Sequence, residues 1–295
     1  MRLGLITPIV TRHPANDATW TEEAGPAELA RIAAAADRLG FHHLTCSEHV
    51  AIPAPAAAVR GTRYYDPLAT FGFLAAHTTR IRFVTHVLVL GYHHPLAIAK
   101  RYGTLDRISG GRVVLGVGVG TLAEEFALLG AELAGRGARF EDALRALRAS
   151  FGRRDPAYAG SHYRFADMMV DPCGVQPDIP IWLGGRTPRS LRRALELADG
   201  WDPFGLDLDQ LTAIITAARA RRTWQERTRP FDLVLPIDAL LDPTAAAQRQ
   251  EFLDRAARYR DLGATILHVR TRHRSLEHYL EQLDALATEV VPAVA

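Results

Sequence analysis

Residues Asp106 to Thr121 read DRISGGRVVLGVGVGT. The apolar spacing that enters this stretch is helical and stops at Ser109, and Gly110 and Gly111 turn the chain. Arg112 to Gly116, rich in β-branched residues, reads as a buried strand, and Gly118 and Gly120 bring the backbone into the open at its exit. The same succession recurs. Leu39-Gly40 leads into Phe41 to Cys46, Asp199-Gly200 into Trp201 to Phe204, and Leu262-Gly263 into Ala264 to Val269. Repeated units of helix, glycine and short apolar strand imply alternating β and α elements around a parallel sheet.

Working outward from that stretch, strands are expected at Leu3 to Thr7, His43 to Ser47, Ile81 to Leu90, Arg112 to Gly116, Ile179 to Leu183, Gly200 to Phe204, Phe231 to Pro236 and Thr265 to Val269. A helix follows each. Pro95 is suited to the first turn of one of them. Eight such units make an α/β protein of the (β/α)8 TIM-barrel class, expected as one domain over residues 1–295, since barrels of roughly 250 residues routinely fold as a unit. Residues 152–178, with Tyr158, Tyr163, Phe165 and Pro172, are too long for an ordinary βα connection and are expected as an irregular insertion after the fourth unit that walls or covers a pocket.

The chain of 295 residues is 48% hydrophobic and 23% charged, enough apolar material for a large core. Its formal net charge of +2 gives no support for nucleic-acid binding. The bases are almost all arginine, Lys100 being the only lysine, and the sequence has no long unbroken run of basic residues. Cys46 and Cys173 form neither a disulfide framework nor a metal-ligand spacing, which suits the cytoplasm. MRLGLITPIV, with Pro8 inside it, reads as the first strand and not as a signal peptide, and no apolar run approaches the ~20 residues that span a bilayer.

In such a barrel the site lies at the carboxyl ends of the strands. After the fifth strand, Gly184 and Gly185 permit close backbone approach, Thr187 can cap the next helix with Pro188 at its first position, and Arg186 with the open N–H groups makes an anion site. The same residues also make a plain βα turn with a surface arginine, and the turn chemistry alone does not choose. After the second strand, His49 stands beside Glu48, a pairing that tunes an imidazole for acid or base work, or a structural histidine at a strand end. In the third strand Thr85 and His86 interrupt an apolar run and need polar partners, in the core or in a ligand at the mouth. His42-His43 and His93-His94 bring metal to mind, but adjacent strand residues point to opposite faces, so no metal site is expected.

These residues resemble the luciferase-like monooxygenase superfamily, flavin and deazaflavin enzymes on a (β/α)8 barrel. The likeness covers nearly the whole chain. It is carried by SEHV at Ser47 to Val50, HHPLAIAKRYGTLDRISGGRVVLGVGVG at His93 to Gly120, and IWLGGRTPRSLRRALELADGW at Ile181 to Trp201. The opening and the segment around Gly184 are most similar to the branch that uses coenzyme F420, a deazaflavin, with FMN the alternative cofactor. The resemblance implies that His49 is the catalytic histidine beside the redox ring. It further implies that Thr85-His86 form a bulge supporting the ring, often through a non-proline cis peptide, and that Gly120 and Thr121 line the same cofactor site. Gly184, Gly185, Arg186 and Thr187, with Pro203, Phe204 and Gly205, would hold the phosphate end. Where the deazaflavin-dependent sugar-phosphate dehydrogenases carry a glutamate proton donor, this chain has Thr121, so sugar phosphate is not the expected substrate and no second strong acid is evident near His49.

The expectation is an oxidoreductase that moves a hydride between coenzyme F420 and a small organic substrate, in a cytoplasmic homodimer without nucleic-acid or membrane partners. Tyr64 and Tyr65 are candidates for the substrate wall. The alternative enzyme is an FMN-dependent two-component monooxygenase. The alternative of another class is a cofactor-binding protein without turnover.

Overall fold

The repeated helix-glycine-strand units wind into a ring. In a computed structural model of the chain, which describes residues 1–12, 18–237 and 239–294, eight parallel strands make the wall. They are β1 (Arg2–Leu5), β2 (His43–Cys46), β3 (Arg82–Thr85), β4 (Val113–Gly118), β5 (Ile181–Gly184), β6 (Gly200–Asp202), β7 (Asp232–Pro236) and β8 (Ile266–Val269). Each pairs with its successor. The pairing of β8 with β1 closes the ring. The principal helices that follow the strands are α1 (Pro26–Arg38), α2 (Pro67–Ala75), α3 (Pro95–Ser109), α4 (Arg136–Arg148), α5 (Pro188–Leu197), α6 (Leu208–Arg219), α7 (Ala246–Asp261) and α8 (Leu276–Ala285). This is a (β/α)8 TIM barrel. Among the described residues no helix is long and apolar enough to cross a membrane.

The stretch that set the reading owes its form to two anchors. Gly110 and Gly111, at φ +69° and +86°, end α3 in a conformation that costs a side chain strain. Arg112 then turns its guanidinium back under the helix, donating to Ser109 O at 2.7 Å, Thr78 Oγ1 at 2.8 Å and Ile81 O at 3.0 Å. Asp106, fully buried, accepts from Val175 N at 2.8 Å and Gln176 N at 2.9 Å, so it ties the end of the insertion to α3. The LD and SGGR parts of the motif are therefore structural, and only its glycine-rich end reaches the barrel mouth.

Inside the barrel, Val84, Val114, Trp182, Val234 and Ile266 form an apolar layer. The larger core lies between the outer faces of the strands and the helices. Two expectations shift. The third strand is not continuous from Ile81 to Leu90: it breaks after Thr85 and resumes as Leu88–Val89. The insertion is not wholly irregular, because Tyr158–Ala159 and Arg164–Phe165 pair as a short hairpin. Asp142 of α4 holds that hairpin, accepting from Tyr158 Oη at 2.6 Å, His162 N at 2.7 Å and Tyr163 N at 2.9 Å.

Asp37 does similar work where α1 meets β3. It is 8% exposed and accepts from Thr79 N, Arg80 N and Ile81 N at 3.0, 2.7 and 2.6 Å. Burial pushes its carboxyl up, but these bonds outweigh burial and hold it below the usual carboxylate range. A depressed folded-state value means that this stability is present above the ordinary range and is lost as pH falls through the folded value. Asp37→Ala is expected to cost about 2–4 kcal/mol in urea unfolding at neutral pH, because it leaves buried N–H groups unpaired. That difference should shrink in acid; a constant difference would mean that Asp37 acts by packing and not by charge.

Candidate active site

The mouth is built around the break in β3. The His86–Val87 peptide is cis, and Ser47 Oγ donates to the His86 carbonyl at 2.7 Å. The Val87 side chain is wedged between the ends of two neighbouring strands. A Cβ on Gly118 or on Gly184 would lie 2.7 or 2.8 Å from a Val87 methyl carbon, so those glycines make room for the bulge itself. Thr85 donates its hydroxyl to Gly116 O at 2.7 Å; it pins the bulge to β4 and leaves no hydroxyl proton for a ligand. Gly120, at φ +74°, sits against Phe126, and Thr121 beside it is exposed.

His49 has a carboxylate partner, but not its neighbour in sequence. Its Nδ1 lies 2.8 Å from Glu125 Oε2, and Glu125 belongs to a short helix, Ala123–Leu128, between β4 and α4. Glu48 instead takes His93 Nε2 at 2.6 Å and Val89 N at 2.7 Å, steadying the far side of the bulge. The pairing of His49 with Glu48 is thus replaced by pairing with Glu125, and a strong acid does stand beside His49. Glu125 is 1% exposed and also accepts from Val50 N at 2.6 Å and Tyr92 Oη at 2.8 Å. Burial raises its carboxyl, yet the bonds from His49, Tyr92 and Val50 outweigh that and hold it ionised below the usual range. An acceptor-only carboxylate fixes the imidazole proton on Nδ1 and leaves Nε2 with its lone pair. The Tyr64 ring meets the His49 ring edge-on at 4.6 Å, while Tyr65 packs against the core.

Across the mouth, Gly185 sits at φ +138° with Ser190 beneath it, and Thr187 Oγ1 caps α5 by accepting from Ser190 N at 3.2 Å. Arg186 is exposed, its guanidinium 6.0 Å from the Phe204 ring centre, and among the described residues no carboxylate pairs with it. Pro203 is buried, Phe204 is 43% exposed, and Gly205 turns the chain at φ +61°. The turns after β5 and β6 therefore meet around Arg186, a cation with no carboxylate partner among the described residues, as an anion site requires.

Below the bulge lies a group that sequence reasoning missed. His86 Nε2 is 3.5 Å and His268 Nδ1 3.3 Å from Asp202 Oδ1, with Asp202 at the end of β6 and His268 within β8. His268, a polar residue in an apolar strand, gives the same signal as Thr85-His86. The argument that placed His42 and His43 on opposite faces also fails. His42 lies just before β2, where its ring turns in over the barrel floor, and the two Nδ1 atoms are 2.8 Å apart. His93 and His94 are separated in role, His94 capping α3 through Leu96 N.

The chain is 28% identical over 271 residues to an uncharacterised protein of Mycobacterium tuberculosis, covering 86% of this chain and 93% of that one. It is 28% identical over 246 residues to an F420-dependent glucose-6-phosphate dehydrogenase of Intrasporangium calvum, covering 78% and 71%. Among solved structures, the oxygenating component of 3,6-diketocamphane monooxygenase from Pseudomonas putida, in complex with FMN, shares the fold at a TM-score of 0.74, with 17% identity over 100% of this chain and 99% of that one. The sequence model of the luciferase-like monooxygenases matches residues 1–294, and the chain belongs to that family.

Proposed function

We propose that the protein is an oxidoreductase moving a hydride between coenzyme F420 and a small organic substrate at the barrel mouth. The observation that carries this reading is the convergence on one opening of the His86–Val87 bulge, the ordered His49–Glu125 pair and the unpaired Arg186. The residues fit such a group. The bulge offers a fixed backbone face for a flat ring, and Arg186 with the Gly184 to Thr187 and Pro203 to Gly205 turns offers a cation and open backbone for a phosphate tail. The deazaflavin, when bound, supplies hydride chemistry. This chain orients it, and His49 Nε2 accepts or returns a proton at the reacting atom. Glu125, four residues past Thr121, supplies an acid beside the catalytic histidine, so the threonine does not by itself argue against turnover. The same reading includes a small-molecule substrate in a cytoplasmic homodimer, with size-exclusion chromatography as the check on assembly.

The FMN reading is favoured by one observation, the match in fold to an FMN-bound oxygenase component. Titration with coenzyme F420 and with FMN, followed by fluorescence and absorbance, separates the two. Saturable F420 binding with no oxygen uptake in the presence of reduced FMN is the expected result. FMN binding with oxygen consumption would replace it. If Arg186 holds the phosphate end, Arg186→Ala should weaken cofactor binding by about 1–3 kcal/mol, the scale of a charge-assisted hydrogen bond, with folding unchanged. Equal affinity in the variant would return Arg186 to a plain surface turn.

A further inference from the structure

A line of side chains runs through the barrel from floor to mouth. At the floor, Arg2 Nη1 lies 3.0 Å from His42 Nε2. His42 Nδ1 meets His43 Nδ1 at 2.8 Å, and His43 Nε2 meets His268 Nε2 at 2.7 Å. His268 Nδ1 and His86 Nε2 then face Asp202 Oδ1 at 3.3 and 3.5 Å. The middle is sealed, with His43, His268 and Asp202 at most 2% exposed. Both ends reach solvent, through the half-exposed Arg2 side chain below and the partly exposed His86 above. The barrel makes room for the line, since a Cβ on Gly4 would lie 2.1 Å from the His43 ring.

The Arg2 anchor at the floor settles every tautomer above it. Arg2 can only donate, so His42 Nε2 accepts and His42 Nδ1 carries hydrogen. His43 Nδ1 therefore accepts and His43 Nε2–H donates to His268 Nε2. His268 Nδ1 then carries hydrogen and lies 3.3 Å from Asp202 Oδ1, beside an ionised carboxylate that can only accept but not aligned with it as a hydrogen bond. The donors run one way from Arg2 without a conflict and end with a donor, His268 Nδ1, beside an acceptor, Asp202. Burial keeps His43 and His268 neutral and pushes His42 down to about 3. Burial also opposes charge on His86, but the Asp202 carboxylate outweighs it and favours imidazolium there.

We propose that His42, His43, His268, Asp202 and His86 form a proton relay between solvent at the barrel floor and the reaction site at the mouth. The proposal rests on the oxidoreductase reading only for its purpose. The His86 imidazolium gives its Nδ1 proton, the one not facing Asp202, to the reaction site at the mouth, and its ring turns so that the bare nitrogen meets Asp202. The His268 Nδ1 proton passes to Asp202 and on to the bare His86 nitrogen. The His43 Nε2 proton passes to His268 Nε2, the His42 Nδ1 proton to His43 Nδ1, and a solvent proton enters at His42 Nε2 where Arg2 yields to water. One proton enters and one leaves; His42, His43 and His268 stay neutral with their tautomers reversed, His86 ends as imidazolium again, and ring rotation or the opposite passage resets the line. The residues below His86 touch neither substrate nor cofactor and act by supplying it.

Long-range proton–nitrogen NMR of the cofactor-free protein, labelled with nitrogen-15 histidine, tests the line directly. The expected tautomers are Nδ1–H at His42, Nε2–H at His43 and Nδ1–H at His268; any other set overturns the relay. The His268 ring proton should exchange with solvent, and His42→Gln, which bonds but does not pass a proton, should slow that exchange by about tenfold or more. Unchanged exchange overturns the proposal. So does stoichiometric loss of the His268 N–H signal on adding Zn2+, which would make His86, Asp202 and His268 a metal site, their donor atoms lying within 4.8 Å of one another. In the loaded enzyme, His42→Gln should lower turnover and enlarge its solvent isotope effect with cofactor affinity unchanged; turnover equal to wild type overturns the relay. Failure of wild type to bind F420 or FMN defeats the functional reading instead and leaves the NMR result standing.

Discussion

His49→Ala is expected to keep cofactor affinity within a few-fold and to lose ~10²-fold or more in turnover, the low end of what a positioned acid or base contributes. The asymmetry follows from where the group acts. A residue that exchanges a proton as hydride passes stabilises the transition state, so its loss falls on rate and spares ground-state binding. The structure adds a control. The alanine variant leaves Glu125 with Val50 N and Tyr92 Oη as partners, so the site should stay folded. Normal turnover would make His49 structural, and a matched collapse of binding and folding would do the same.

The barrel was legible because each unit carries its own punctuation. Gly40, Gly110 and Gly263 sit at positive φ just past helices, where only glycine is unstrained, and the apolar strands between them need no distant information. The place of His49 at the mouth was legible from topology, since a strand end faces the mouth. Its partner was not. Glu48 is adjacent in sequence, but neighbours on an extended chain diverge, and Glu48 is taken by His93. Glu125 lies 76 residues away, and its only local signal is that it sits beside the buried Phe126 on a short helix. The barrel line was hidden for the same reason. His42, His43, Asp202 and His268 come from three strand regions, and only closure of the ring brings them together.

The choice of Glu125 as partner carries the sharpest prediction. Glu125→Gln keeps size and shape, and its amide oxygen can still take the Val50 N–H, now at 2.6 Å. The amide nitrogen then faces His49 Nδ1 as a donor, where the carboxylate accepted. Tyr92 adjusts by turning its hydroxyl. The imidazole has only one answer, which is to move its proton from Nδ1 to Nε2, and the lone pair that the proposed proton transfer needs is gone. Turnover should therefore fall by ~10²–10⁴-fold while fold and cofactor affinity hold, the range expected when a base is held in the wrong tautomer. In wild type the carboxylate is held below the usual range, so it stays an acceptor for His49 Nδ1–H until pH falls through that depressed value. Nitrogen-15 NMR of His49 in the variant reads the tautomer independently of rate. A switched tautomer with near-normal turnover would show that the enzyme does not use the Nε2 lone pair, and an unswitched one would show that Glu125 does not set it.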